Sequence, residues 1–481
     1  MSNDFDVIII GSGIGGLTCG AFLARQGMRV AVCEKHFQIG GYAQNFTRKG
    51  FTFDSCVHSV SMADDGFICG LLTRLGIRDD LIITPNSCSM HVKSPAVEYS
   101  VPAHLDTLRD QLCNDFPQEK DSIIALLSDM TDKFFMFKKN LGPLTRPLVR
   151  TDAPIDIAEA TCSYEEYIAR FIRDRTLKHI FHSIWPFAGN APSYAPVFNA
   201  LIFIVHALEG SHHVKGGFGT LAHALAGVIT HYNGEVITGW PVCGLKTGND
   251  KRAVAVVNAQ GKELAARFFV SNISPYVLHR SLVAPEARNR LWIKRLERLA
   301  PSVSAVCVYL GIEGDASDIV KDNVTFWFAS DDHEATYARV LSGPPDEIDH
   351  LLVMRPPDPE HKSTMTLIFF ARADAAPDWS VAKKVIAQAM VAKANALFGD
   401  FSKRILVTEA ASPATFERYT GNSGGALYGF ENARDLYGQS KIPLTTPFHN
   451  LYQAGHWTKT GSGIYNVMSS GKSVADMILS R

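Results

Sequence analysis

The sequence contains no CxxC pair, and its nine cysteines are scattered with no cluster at metal-ligand spacing. That excludes a zinc ribbon or finger, and the odd, dispersed set reads as reduced thiols rather than a disulfide framework. Net charge is nearly absent: 47 Lys and Arg against 48 Asp and Glu leave −1. No basic field exists to attract nucleic acid. Long apolar runs are missing as well, since no uninterrupted stretch approaches the length of a membrane span. The nearest, Ala195 to Gly210, is interrupted by Asn199 and His206. Its pattern leaves three readings open: a buried core helix, a wall of an apolar tunnel, or a membrane-dipping helix. Apolar strand residues begin by Val7, leaving no room for a signal or transit peptide, which points to the cytoplasm. There is no internal repeat, low-complexity linker, Ser-His-Asp pattern, kinase signature or phosphate-loop lysine. At 481 residues and 46% hydrophobic, the chain is globular and too long for one ordinary core, so two lobes are expected.

What is present starts at "DVIIIGSGIGGLTCGAFLARQGMRVAVCEK", Asp6 to Lys35. Val7 to Ile10 is a β-branched run of the kind buried in a parallel sheet. Gly11, Gly13 and Gly16 match G-x-G-x-x-G, with Gly15 inside the same turn. Gly11 serves the tight turn, Gly13 lets a pyrophosphate approach the backbone, and Gly16 lets helix and strand pack closely. The amides that open the helix carry partial positive charge, so an anion is stabilised there. Leu17, Ala21 and Ala24 share one helical face, and Gly27 is a suitable stop. A second strand, Arg29 to Cys33, ends at Glu34, placed to accept a hydrogen bond from a ribose hydroxyl and to repel a 2′-phosphate. Lys35, beside it, works against that charge discrimination.

One βαβ unit is not a domain, and two later stretches read as its completion. In the first, Gly216 to Asn272, Leu221, Leu225 and Val228 set a helical stripe that ends at Asn233-Gly234. Glu235 to Thr238 then begin a strand, and "AVAVVNAQGKELAARFFVSN" reads as two strands about a Gln260-Gly261 turn. In the second, Asn450 to Leu479, a short strand reaches Gly455 and a helix starts near Gly463. Two helix N-termini converging on one molecule suit a large dinucleotide held along its length. There is no second G-x-G-x-x-G, which favours one tightly held dinucleotide, and FAD over NAD.

With these pieces in order, the chain resembles the flavin-dependent phytoene desaturase family. That family includes carotenoid isomerases and retinol saturases within the wider amine-oxidase-like flavoproteins. The resemblance is carried by the Gly11–Gly16 turn, Glu34 followed by "IGGYAQNFTRKGFTFDSCVHS", then "KGGFGTLAHAL", "VSNISP", "SGGALYGF" and "QAGHW…GSGIYNVMSSG". It implies that Gly40 and Gly41 lie along the pyrophosphate or flavin, and that Val242 meets the adenine through its backbone. It also implies that Gly455, Gly463 and Ile464 cover the flavin end. Where many members have glycine after "FD-x", this chain has Ser55-Cys56-Val57-His58, closer to the retinol saturase pattern.

His58 should follow a strand beside the flavin, where an imidazole could donate a proton near the substrate; a packed structural histidine is the alternative. His212 and His213 lack further ligands at metal spacing. Lys215 neutralises a phosphate or is simply solvated. Glu165 and Glu166 read as a solvated face, and Cys56 as a small buried hydrophobe. Phe134, Phe135, Phe137, Phe181 and Phe187 are core or tunnel lining.

The expected architecture is α/β. A discontinuous Rossmann-type FAD-binding domain (1–80, 215–274 and 411–481) carries an inserted α+β substrate domain (81–214 and 275–410), with "TFWFASD" and "LIFFAR" as strands roofing a cavity. The resemblance implies an FAD-dependent oxidoreductase moving hydride between flavin and a C–C bond of an apolar polyene or isoprenoid, with an electron partner left open. Such a substrate implies peripheral membrane contact, with Ala195 to Gly210 as the candidate docking or entrance element. Two alternatives stay open: a flavin amine oxidase, and a non-enzymatic prenyl-binding escort of the GDP-dissociation-inhibitor type.

Overall fold

The computed structural model describes residues 4–140, 162–197, 200–248, 250–343, 347–357, 363–431 and 442–481. The side chain of Phe137, and Asn199, lie outside the described residues.

Phe5–Ile10 is a central strand, with Val7, Ile8, Ile9 and Ile10 all buried. Val30–Cys33 flanks it on one side and Glu263–Ser271 on the other, both parallel to it. Glu235–Ile237 adds beyond Val30–Cys33, and Leu451–Gln453 adds beyond the end of Glu263–Ser271, again parallel. An antiparallel ribbon of Val242–Thr247 and Ala253–Asn258 feeds into the start of Glu263–Ser271. The connection from Phe5–Ile10 to Val30–Cys33 is the Ile14–Arg25 helix, as a parallel pair requires. The C-terminal helix, Ile464–Leu479, packs so closely on it that a β-carbon at Gly471 would stand 2.2 Å from the Gly15 carbonyl oxygen. This is a Rossmann-type arrangement, in which ligands bind at the carboxyl ends of the strands.

A second seven-stranded sheet runs in the order Ile405–Ala411, Ser304–Ile312, Thr364–Ala371, His350–Met354, Val324–Phe328, Met90–Lys93, Glu98–Val101. Its four middle strands from Ser304–Ile312 to Val324–Phe328 are buried at every position. Both faces are covered, and the period of two sorts the side chains between them. Val306, Val308 and Leu310 pack toward the Trp379–Phe398 helix. Ala305, Cys307 and Tyr309 pack toward a layer that includes the Lys120–Asn140 and Ala200–Glu209 helices. The hairpin of Asn45–Arg48 and Phe51–Asp54 ties this layer to the first sheet; just beyond it, Tyr309 Oη donates to the Ser55 carbonyl at 2.6 Å.

Candidate active site

The carboxyl ends of the parallel strands open into one cavity of about 900 Å³. Gly11, Gly13, Gly15, Glu34, Lys35, Gly40, Gly41, Val242, Gly455, Gly463, Ile464 and His58 all line it. Gly16 stands behind the turn: a β-carbon there would come within 2.6 Å of the Gly11 carbonyl oxygen. Gly40 donates its N–H to the Ser12 carbonyl at 3.0 Å, which lays the Gly40–Gly41 segment against the glycine turn. Glu34 is buried and accepts three hydrogen bonds: Ser12 N–H at 2.8 Å and Ser12 Oγ at 2.6 Å on Oε2, and His36 N–H at 2.9 Å on Oε1. Oε1 keeps a lone pair for one more donor. Lys35 Nζ donates to the Arg418 carbonyl at 3.0 Å, so it ties the segment after the second strand to the Pro413–Thr420 helix.

Asn272 is the residue the motifs do not single out. It sits just past the end of Glu263–Ser271, and its N–H donates to the Ile10 carbonyl at 2.9 Å. Its side chain lies against the glycine turn, where a β-carbon on Gly13 would be 2.5 Å from Nδ2 and one on Gly455 would be 2.7 Å from Oδ1. The available signal was positional: Asn272 follows the strand that neighbours the glycine-turn strand, at the rim where such sheets bind ligands.

Six buried polar side-chain atoms on this wall have no hydrogen-bond partner among the described residues: His36 Nε2, His58 Nε2, Ser61 Oγ, Asn272 Oδ1, His456 Nε2 and Tyr465 Oη. Buried orphans are costly and rare in folded chains, so their convergence on one cavity points to a large polar ligand. The glycine cradle, the buried acid at the end of the second strand and the helix N-terminus at Ile464 fit an adenine dinucleotide laid across them.

His58 makes no hydrogen bond among the described residues. Burial, with the nearby His213 imidazole, pushes it down to about 3, so it is neutral at pH 7 instead of titrating near neutrality. His213 Nε2 is in turn 3.8 Å from Oδ2 of Asp54, a buried carboxyl whose other oxygen accepts the Phe218 N–H at 2.7 Å. Burial raises Asp54 to about 7. Cys56 lines the cavity with its thiol pushed up to about 12 by burial. Lys215 lies off the cavity wall, and no metal-binding cluster exists among the described residues.

Away from the glycine turn the cavity becomes apolar, walled by Phe134, Phe187, Ile202, Val205, Leu352 and Met354 among others. Its carboxylates are Glu34, at the nucleotide end, and Glu431. The phenylalanines therefore divide: Phe134 and Phe187 line the cavity, Phe181 is core against Phe203, and Phe135 is 53% exposed. The Ala200–Glu209 helix divides too. Phe203 and Ile204 are buried in the core, while Leu201, Ile202, Val205 and His206 face the cavity. On its described residues the segment is core on one side and tunnel wall on the other.

A family model, flavin containing amine oxidoreductase, matches residues 14–479. The chain belongs to that family. It is an FAD-dependent oxidoreductase. It is similar to the all-trans-retinol 13,14-reductase of Danio rerio, with 22% identity over 94% of this chain and 82% of that protein. It is also similar to the chloroplastic prolycopene isomerase of Daucus carota, with 26% identity over 98% of this chain and 79% of that one. Among solved structures, a putrescine oxidase redesigned in its cofactor binding shares the fold, with a TM-score of 0.69, 14% identity and 99% of each chain covered. Among the described residues no helix is long and apolar enough to cross a membrane.

Proposed function

We propose that this oxidoreductase acts on a carbon–carbon bond of an apolar polyene or isoprenoid. The observation that carries the reading is that a single cavity joins a dinucleotide cradle to an apolar chamber. Both relatives named above support it, since their names specify a retinoid and a carotenoid. Away from the glycine turn the chamber walls are mainly hydrocarbon and aromatic, which suits a substrate that carries no charge.

In this reading Gly11, Gly13, Gly15, Gly40 and Gly41 hold the pyrophosphate, Glu34 takes the ribose, Val242 the adenine, and Gly455, Gly463 and Ile464 cover the flavin end. Gly16 supports the turn from behind. Lys35 closes the adenosine end through its bond to the Arg418 carbonyl. FAD, when bound, supplies the two-electron chemistry. The protein orients the hydrocarbon and excludes water from the reacting bond. His58 presents a neutral imidazole there, a proton acceptor or hydrogen-bonding group instead of an imidazolium donor. The segments 1–80, 215–274 and 411–481 form the cofactor domain, and 81–214 with 275–410 the substrate domain.

A hydrocarbon substrate has to be drawn from a bilayer. The C-terminal part of the Lys120–Asn140 helix bridges cavity and surface, as such an entrance must. Phe134 lines the cavity, while Phe135 and Met136 are 53% and 46% exposed. Replacing both exposed residues with serine should reduce co-sedimentation with liposomes and leave flavin content unchanged.

The deciding experiment purifies the yellow protein and incubates it, with flavin oxidised or chemically reduced, with liposomes carrying all-trans-retinol or poly-cis carotenoids. Products are read by absorbance and mass. A product changed by two hydrogens, or isomerised, is expected. Turnover confined to small water-soluble amines with peroxide release would overturn the reading.

A further inference from the structure

His206 is a polar residue in the apolar part of the cavity, on the Ala200–Glu209 helix. Its Nδ1 stands 3.0 Å from the Ile202 carbonyl oxygen one turn earlier. A carbonyl only accepts, so Nδ1 carries the proton and the neutral ring leaves Nε2 as a bare lone pair. Burial keeps the ring neutral by pushing it down to about 4. No described residue donates to Nε2. The ring packs beside Phe187, with centroids 5.5 Å apart, among the cavity-facing side chains of Ile202 and Val205. A second polar group nearby, the Tyr428 hydroxyl, already donates to the Pro186 carbonyl. The chamber therefore holds an acceptor fixed in direction, in surroundings where an unmet hydrogen bond is costly.

We propose that His206 Nε2 accepts a hydrogen bond from a hydroxyl on the substrate, so that the chamber selects a long apolar alcohol over the corresponding hydrocarbon or ether. This rests on the apolar-substrate reading and narrows it: of the two relatives' substrate types, it favours the alcohol. A site built around a hydroxyl rejects the analogue that lacks it, because its own polar atom is then stranded.

The test titrates the FAD-loaded protein with all-trans-retinol, its O-methyl ether and the hydrocarbon lacking the oxygen, following quenching of tryptophan fluorescence. The alcohol should bind roughly five- to tenfold more tightly than the other two, the worth of one neutral hydrogen bond. In His206→Phe, which keeps a planar ring, alcohol affinity should drop to that of the hydrocarbon while hydrocarbon affinity holds. Equal binding of all three by the wild-type protein, or a His206→Phe variant that still prefers the alcohol, overturns the hydroxyl contact and leaves the apolar-substrate reading standing. Binding of none of them overturns both. The ether comparison needs no substitution, so the proposal is decided even if the variant does not fold.

Discussion

Glu34 shows how one side chain serves both the fold and the site. Its carboxylate holds the glycine turn through Ser12 and the following loop through the His36 N–H. Glu34→Ala would strand these donors in a buried place, at a cost of about 1.5–3 kcal/mol for a charged acceptor. Thermal melting should show a lower midpoint, and dialysis a faster loss of FAD; retention and melting like the wild type would remove Glu34 from the site. Gly13→Val is the sharper change. A β-carbon there lies 2.5 Å from Asn272 Nδ2, on the path a pyrophosphate needs. The purified variant should be colourless, as read by its visible spectrum. Both positions were legible in the sequence because the motif that marks them is local, spanning a strand, a turn and the next strand. Asn272, His456 and Tyr465 lie within quoted motifs but were not singled out, since their orphaned polar atoms are visible only once the strands and helix are docked beside the turn.

At the scale of the element, the Ala200–Glu209 helix explains why hydropathy alone left three readings open. A helix between a core and an apolar cavity is hydrophobic all round, and no periodicity separates the two faces. The structure does, and adjacent substitutions should part accordingly. Ile204 is 0% exposed in the core, so Ile204→Glu buries an unpaired charge and should abolish cooperative folding in circular dichroism melts. Ile202 faces the cavity, so Ile202→Glu should keep the fold and the flavin while weakening binding of an apolar ligand at least tenfold. Similar loss of folding in both would deny the cavity face. The strands were easier to read. Within "TFWFASD" and "LIFFAR" the β-branched and aromatic residues carry the signal, and they fall in the fully buried strands Val324–Phe328 and Thr364–Ala371. The Ser163 cap of the Tyr164–Phe171 helix went unread: Glu166 closes a capping box there, whereas its charge suggested only a solvated face.

Across the whole molecule, buried neutral histidines tie stability to pH. His182 and His279 do not line the cavity, and burial pushes each down to about 4. In the unfolded chain such groups take up protons near 6.5. Their contribution is therefore complete above about pH 6.5 and is lost as pH falls toward 4, on the order of 3 kcal/mol for each. Melting temperature measured from pH 8 to pH 4 should hold and then fall across that window. The His182→Phe, His279→Phe double variant should fall less steeply if it folds. An unchanged slope would mean these imidazoles charge freely in the folded state.

The first sheet is finished by its last-made strand. Ribosomes release the Gly11–Gly16 turn long before Leu451–Gln453 and the Ile464–Leu479 helix, which follow far along the chain. Until they emerge, the nascent chain carries an open edge on Glu263–Ser271 and a cofactor cradle lacking its far wall. Such long-range closure is slow and leaves apolar surface exposed to aggregation. FAD should bind the closed form better than the open one and so draw the equilibrium toward it. In a producing cell, vitamin supply would then act as a folding factor: the yield of intact protein should rise with the riboflavin available during expression.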